Sequence, residues 1–110
     1  MTANGALAAL VVDQLADWAP VSARRMFGGV GLFREGRMFA LVHGEALYFK
    51  CSDAVRASFD AVSAPPFTYP RGDRTVALSY RMAPDGAIDD PEALGEWATL
   101  AWRAATGLPQ

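Results

Sequence analysis

Arg24-Arg25-Met26-Phe27-Gly28-Gly29-Val30-Gly31-Leu32-Phe33 joins paired cations to an apolar-aromatic step, then to a glycine pair that opens a strand. Glycine admits positive φ and the close approach of another backbone, so Gly28-Gly29 marks a bend or bulge of restricted geometry. A phosphate-cradling loop needs a helix directly after its glycines, so that free N–H groups point at the anion. Here the continuation is Leu32-Phe33 and a hairpin turn. The glycines therefore belong to a sheet.

Downstream, the runs Val30 to Arg34, Arg37 to Val42 and Leu47 to Cys51 read as strands. They are separated by Glu35-Gly36 and His43-Gly44-Glu45, both of hairpin length, which predicts an antiparallel meander. Upstream, Leu7, Leu10, Val11, Leu15 and Trp18 recur at helical spacing, and the helix ends before Pro20. Ser52 or Asp53 is the expected cap of a second helix, with Val55, Phe59 and Val62 on one face and Ala64-Pro65-Pro66 as its stop. Phe67-Thr68-Tyr69 then extends and turns at Pro70-Arg71-Gly72-Asp73 into the strand Thr75 to Met82. That strand carries Val76, Leu78, Tyr80 and Met82 on one side.

The last helix is the best punctuated. Asp90 can cap it, Pro91 fits its first turn and Glu92 complements the positive end of its dipole. Leu94, Trp97, Ala98, Ala101, Trp102 and Ala105 form its apolar stripe, and Gly107 and Pro109 close it. The expected fold is thus α+β, in the order α-βββ-α-ββ-α. A five-stranded antiparallel sheet carries its helices on one face, in two layers.

A length of 110 residues suits one domain over 1–110, and 52% hydrophobic with 20% charged residues is a globular composition. The net charge of -2 gives no overall attraction to phosphate backbones, although a local basic patch is compatible with it. Lys50 is the sole lysine among ten basic residues. One cysteine, Cys51, forms no intrachain disulfide framework, and Cys51 with the lone His43 is too little for a Cys/His zinc site. No cofactor and no metal are expected. The N-terminus has no basic region before its short apolar run, so the expectation is an uncleaved cytoplasmic protein without a membrane span.

Chemistry-bearing groups are not clustered. His43 falls in an expected turn, Cys51 reads as a small buried hydrophobe, and Asp89-Asp90 is explained by the helix start. The expectation is a protein that is not an enzyme and has no catalytic residues. Two features suggest a recognition surface instead. Arg24, Arg25, Met26, Phe27, Gly28 and Gly29 combine cations with an aromatic at a bend, a composition favoured at interface anchors. Tyr48 and Lys50 share the strand face opposite Leu47, Phe49 and Cys51. They are expected to look outward together with Phe39.

The stretch from Arg25 to Phe33, with Met38-Phe39-Ala40-Leu41-Val42, Leu47-Tyr48-Phe49-Lys50, Pro66-Phe67-Thr68-Tyr69 and Tyr80-Arg81-Met82, resembles the N-terminal domain of the TfoX/Sxy family. The resemblance runs from about Val21 to Ala105. It implies a two-layer domain similar to secretion-chaperone architecture, and a bacterial competence regulator that assists a transcription factor. It supplies no catalytic residues. The resemblance implies that longer family members carry a helical second domain, and none is expected within these 110 residues.

The leading expectation is therefore a cytoplasmic regulatory module that binds a protein partner, a transcription factor or part of the transcription machinery. Homodimerisation through the sheet face or an edge strand is compatible with it. The alternatives are direct DNA binding through Arg24, Arg25, Arg34 and Arg37, and a small-ligand site using His43, Tyr48 or Cys51.

Overall fold

The structure, a computed structural model, describes residues 3–26 and 28–107. Helix α1 (Ala3–Gln14) is followed by strands β1 (Ser22–Met26), β2 (Gly29–Arg34), β3 (Arg37–His43) and β4 (Ala46–Lys50). A short helix α2 (Arg56–Ala61), strands β5 (Pro66–Arg71) and β6 (Arg74–Met82), and helix α3 (Pro91–Thr106) complete the chain. The six strands form one antiparallel sheet in the order β1-β2-β3-β4-β6-β5, with the helices on one side.

The sixth strand corrects the expected five. β1 is an edge strand exposed over Ser22 to Arg25, so it has no apolar alternation to betray it in the sequence. Its register, Met26 with Gly29, makes the glycine pair part of a tight hairpin, and Gly28 takes φ of +75°. The other hairpins turn as expected. Glu35-Gly36 has φ of +50° and +78°, and Gly44-Glu45 has +57° and +63°. Positive φ at both central residues defines a type I′ turn, whose twist matches that of the strands it joins. His43 is accordingly the last residue of β3, paired with Ala46, and not part of the turn.

The main core lies between the helices and one sheet face. From α1 it takes Ala8 and Val11, and from the turn after it Leu15; from the sheet Val30, Leu32, Phe39, Ala40, Val42, Leu47 and Phe49; from α2 and α3 Phe59, Leu94, Ala98 and Ala101. Leu10, expected in the stripe of α1, is 44% exposed, because the buried line runs through Ala8 to Val11 and Leu15. Val62 likewise follows the end of α2 and is exposed.

Caps divide between expectation and correction. Asp90 accepts hydrogen bonds from the backbone N–H groups of Glu92 (3.1 Å) and Ala93 (3.3 Å), and Gly107 closes α3 in the left-handed conformation. Ser52 precedes a 3-10 turn at Asp53–Val55 and makes no side-chain cap bond. The tighter turn starts the segment before α2 proper, and Asp53 pairs with Arg56 instead.

Phe39 also departs from its expected side. The β2–β3 register passes from Leu32↔Ala40 to Phe33↔Met38, so β3 holds one extra residue, Phe39, against β2. This bulge turns Phe39 and Ala40 toward the helices together. Phe39 then meets Trp18, ring centroids 5.2 Å apart. The Trp18 indole N–H donates to the Thr99 hydroxyl at 2.9 Å, and that hydroxyl donates to the Gly95 carbonyl at 2.9 Å. α1 stops at Gln14, short of the expected end before Pro20, and Trp18 ties the turn that follows it to both α3 and the sheet.

Arg34 completes this junction. Its guanidinium lies 4.6 Å from the Trp18 ring centre and 4.8 Å from that of Trp102. Its ion pair with the largely exposed Glu35, 3.6 Å, adds little beside that. Replacing Arg34 with alanine is expected to lower stability by about 1–2 kcal/mol in urea unfolding, with Arg34→Lys falling between, since lysine keeps the charge but not the flat stacking surface.

Candidate functional site

Register decides where each side chain of the sheet points. Arg24, Gly31, Leu41, Tyr48 and Met82 form one row across β1, β2, β3, β4 and β6. Leu41 belongs to a second apolar cluster with Phe67 and Tyr80, flanked by Met38, Tyr48, Tyr69 and Leu78. This row therefore faces away from the helices. The neighbouring row, Arg25, Val30, Val42 and Leu47, runs into the main core. Arg24 and Arg25, adjacent in sequence, consequently serve opposite faces of the sheet edge.

The open face is crowded with soft and aromatic groups. A Cβ on Gly31 would sit 2.5 Å from Met26 Sδ, 3.1 Å from Phe33 Cε1 and 3.2 Å from Met38 Sδ, so three side chains occupy the space that glycine leaves. Arg24 lies over the Phe33 ring at 5.3 Å. On the other side, Phe67 of the edge strand β5 meets the edges of His43 (5.1 Å) and Tyr48 (5.0 Å). Contact from β5 to β3 requires the β5–β6 hairpin to curl over the face. Under that curl, His43, Phe67, Tyr69 and Leu78 line a hollow of about 450 Å³. Lys50 Nζ sits 5.2 Å from the Tyr80 ring centre.

A second hollow, about 370 Å³, lies at the β1–β2 hairpin and is lined by Asn4, Arg25, Met26, Gly28, Gly29 and Val30. The Asn4 side-chain oxygen accepts from the Glu45 N–H at 2.8 Å, which ties the start of α1 to the β3–β4 turn. Gly29 is required here by packing, since a Cβ would fall 2.2 Å from the Val42 carbonyl oxygen.

The expected recognition residues are thus only partly united. Arg24, Met26, Tyr48 and Lys50 fall on the open face, whereas Arg25, Gly28 and Gly29 border the hairpin hollow. Phe27 lies outside the described residues. Phe39 is in the main core. The four arginines of the DNA-binding alternative do not form one patch, because Arg34 is clamped between Trp18 and Trp102 on the helix side. His43 and Cys51 are on opposite faces, with Cys51 in the main core. Burial pushes the Cys51 thiol above its ordinary value, despite the opposing pull of Arg81 and Arg56. Among the described residues there is no group of three His, Cys, Asp or Glu side chains placed to hold a metal ion, and no helix is long and apolar enough to cross a membrane.

Sequence reasoning missed Phe67, Tyr69 and Leu78 as site residues. Phe67 and Tyr69 show in the sequence only as a short extended run, and Leu78 as part of the apolar side of β6, which proves to be the side away from the helices.

A two-layer α+β domain with one curled antiparallel sheet is the architecture on which this face is built. The chain matches the family model of the TfoX N-terminal domain over residues 13–105, and it belongs to that family. It is also 37% identical over 57 residues to the DNA transformation protein TfoX1 of Aliivibrio fischeri. That stretch is 52% of this chain but 27% of the relative, so the chain spans well under two thirds of that protein's length.

Two consequences are measurable. Gly29→Ala is expected to cost about 1–3 kcal/mol in urea unfolding, because a strand carbonyl cannot move aside as a flexible side chain would. Burial also raises the Tyr80 phenol to about 12. The neutral phenol is favoured in the fold, so this contribution is complete below the ordinary tyrosine value of about 10 and is lost as pH rises through about 12. Tyr80→Phe is expected to flatten the fall in stability over that window, as measured by denaturant titrations at stepped pH.

Proposed function

We propose that this domain is a non-enzymatic regulatory module that acts in DNA transformation by binding a protein partner through the open face of its sheet. The observation that carries the reading is the composition of that face. Methionine, tyrosine and phenylalanine side chains, with Arg24 and Lys50 beside them, sit on the side that no helix covers. Aromatics, methionine and arginine are the residues enriched at protein interfaces, and thioethers adapt their shape to a partner at small cost. Membership of the TfoX N-terminal domain family and the similarity to a DNA transformation protein supply the biological setting. A component of the transcription apparatus, or a transcription factor, is the partner that setting favours. Direct DNA binding is disfavoured by the net charge of -2 and by the dispersal of the arginines.

Complementation tests the reading. In a naturally transformable strain lacking the gene, a Tyr69→Ser/Leu78→Ser variant with unchanged circular dichroism is expected to lower transformation frequency at least tenfold relative to the unaltered gene. DNA-uptake transcripts should fall in parallel. Full complementation by this variant and by Lys50→Glu would remove the open face from the mechanism.

A further inference from the structure

The two edges of the sheet are not equivalent. β5 carries Pro66 and Pro70, which have no N–H to offer an added strand. β1, at the other end of the strand order, has no proline, is exposed over Ser22 to Arg25, and pairs on one side only, with β2. Its free side is a row of backbone donors and acceptors of the kind that recruits an extended segment.

Charge narrows the choice of occupant. Neither Arg24 nor Arg25 forms an ion pair among the described residues, whose ion pairs are Arg34–Glu35, Arg56–Asp53 and Arg81–Asp60. A second copy of β1 laid antiparallel over the whole strand would set Arg24 against Arg24, with Arg25 close by. Like charges directly opposite destabilise a strand pair. An acidic strand meets the opposite situation. Because Arg24 faces the open side and Arg25 the helix side, two consecutive carboxylates on an added strand would each find one guanidinium. The hollow bordered by Arg25, Met26, Gly28 and Gly29 receives the side chain on the helix side.

We infer that β1 is a docking edge for an extended acidic segment of a partner protein, added as a seventh strand with a pair of consecutive Asp or Glu residues against Arg24 and Arg25. This rests on the reading of the domain as a protein-binding module and names the chemistry of its partner.

The probe is a short fluorescent peptide of valine and threonine with two central glutamates, titrated against the whole chain at physiological salt. Saturable binding is expected. Arg24→Glu/Arg25→Glu, whose side chains are exposed and leave the fold intact, should weaken it more than tenfold, and a peptide with two central lysines should restore binding to that variant. N-methylation walked along the peptide should abolish binding at alternate residues and spare those between, the signature of a strand ladder. Absence of binding, a flat methylation profile, or full displacement by duplex DNA that itself binds through the same arginines would each overturn the inference. The Tyr69→Ser/Leu78→Ser variant should bind the peptide as the unaltered chain does. Loss of transformation in that variant together with failure of the peptide to bind would reject the docking edge alone and leave the open-face reading standing.

Discussion

The extra residue at Phe39 is the constraint on which most of this architecture depends. By inserting one position into β3, the bulge directs Phe39 and Ala40 to the same side and restores the alternation afterwards, so that Leu41 and His43 face the other way. Phe39 is fully buried against Trp18, and Trp18 holds α3 through Thr99. Without that insertion, strict alternation would put Phe39 and Leu41 on the same face, so the two could not serve opposite clusters. A one-residue change of register reverses every side chain beyond it, which is why a local irregularity has a global consequence here.

Two faces of different character follow. The helix-covered face is filled by Leu, Val, Ala and Phe, and its one part-buried guanidinium at the junction of α1 and α3, that of Arg34, is covered by the rings of Trp18 and Trp102. The open face is closed only by its own hairpin. β5 and β6 curl until Phe67 touches His43 and Tyr48, which buries Leu41 and Tyr80 without any helix. What is left between curl and sheet is an apolar hollow with a histidine at its border. A sheet that curls in this way protects part of its apolar surface and offers the remainder in a concave form, the geometry suited to gripping a protruding side chain.

Much of the fold could be read from local signals because those signals act over a few residues. The turns at Glu35-Gly36 and Gly44-Glu45 need positive φ, and their sequences allow it. Asp90, Pro91 and Gly107 bound α3 where a cap, a first-turn proline and a left-handed terminus belong. The family could be read for the same reason, since the run from Arg25 to Phe33 combines rare neighbours. β1 escaped because an exposed edge strand has no buried side to alternate with, and Leu10 was misplaced because a nearly all-apolar helix offers more than one stripe. Tyr48 and Lys50 are expected on the strand face opposite Leu47 and Phe49, and the register puts them there, whereas nothing local marks Phe67, Tyr69 and Leu78 as their neighbours. Their contribution requires the hairpin to fold across β3 and β4, a contact between residues distant in sequence.

By itself the sequence determined the elements other than the edge strand β1, the turns between strands, the antiparallel two-layer class and the family. Each of these depends on backbone preferences and apolar periodicity that neighbouring residues carry between them. Only the tertiary structure decided which way the strands face after the bulge, how far the last hairpin curls, and that Arg24 and Arg25 part to opposite sides of one edge. Those outcomes are set by packing and register between distant strands, where the burial of Phe39 and Phe67 outweighs any local preference of the chain.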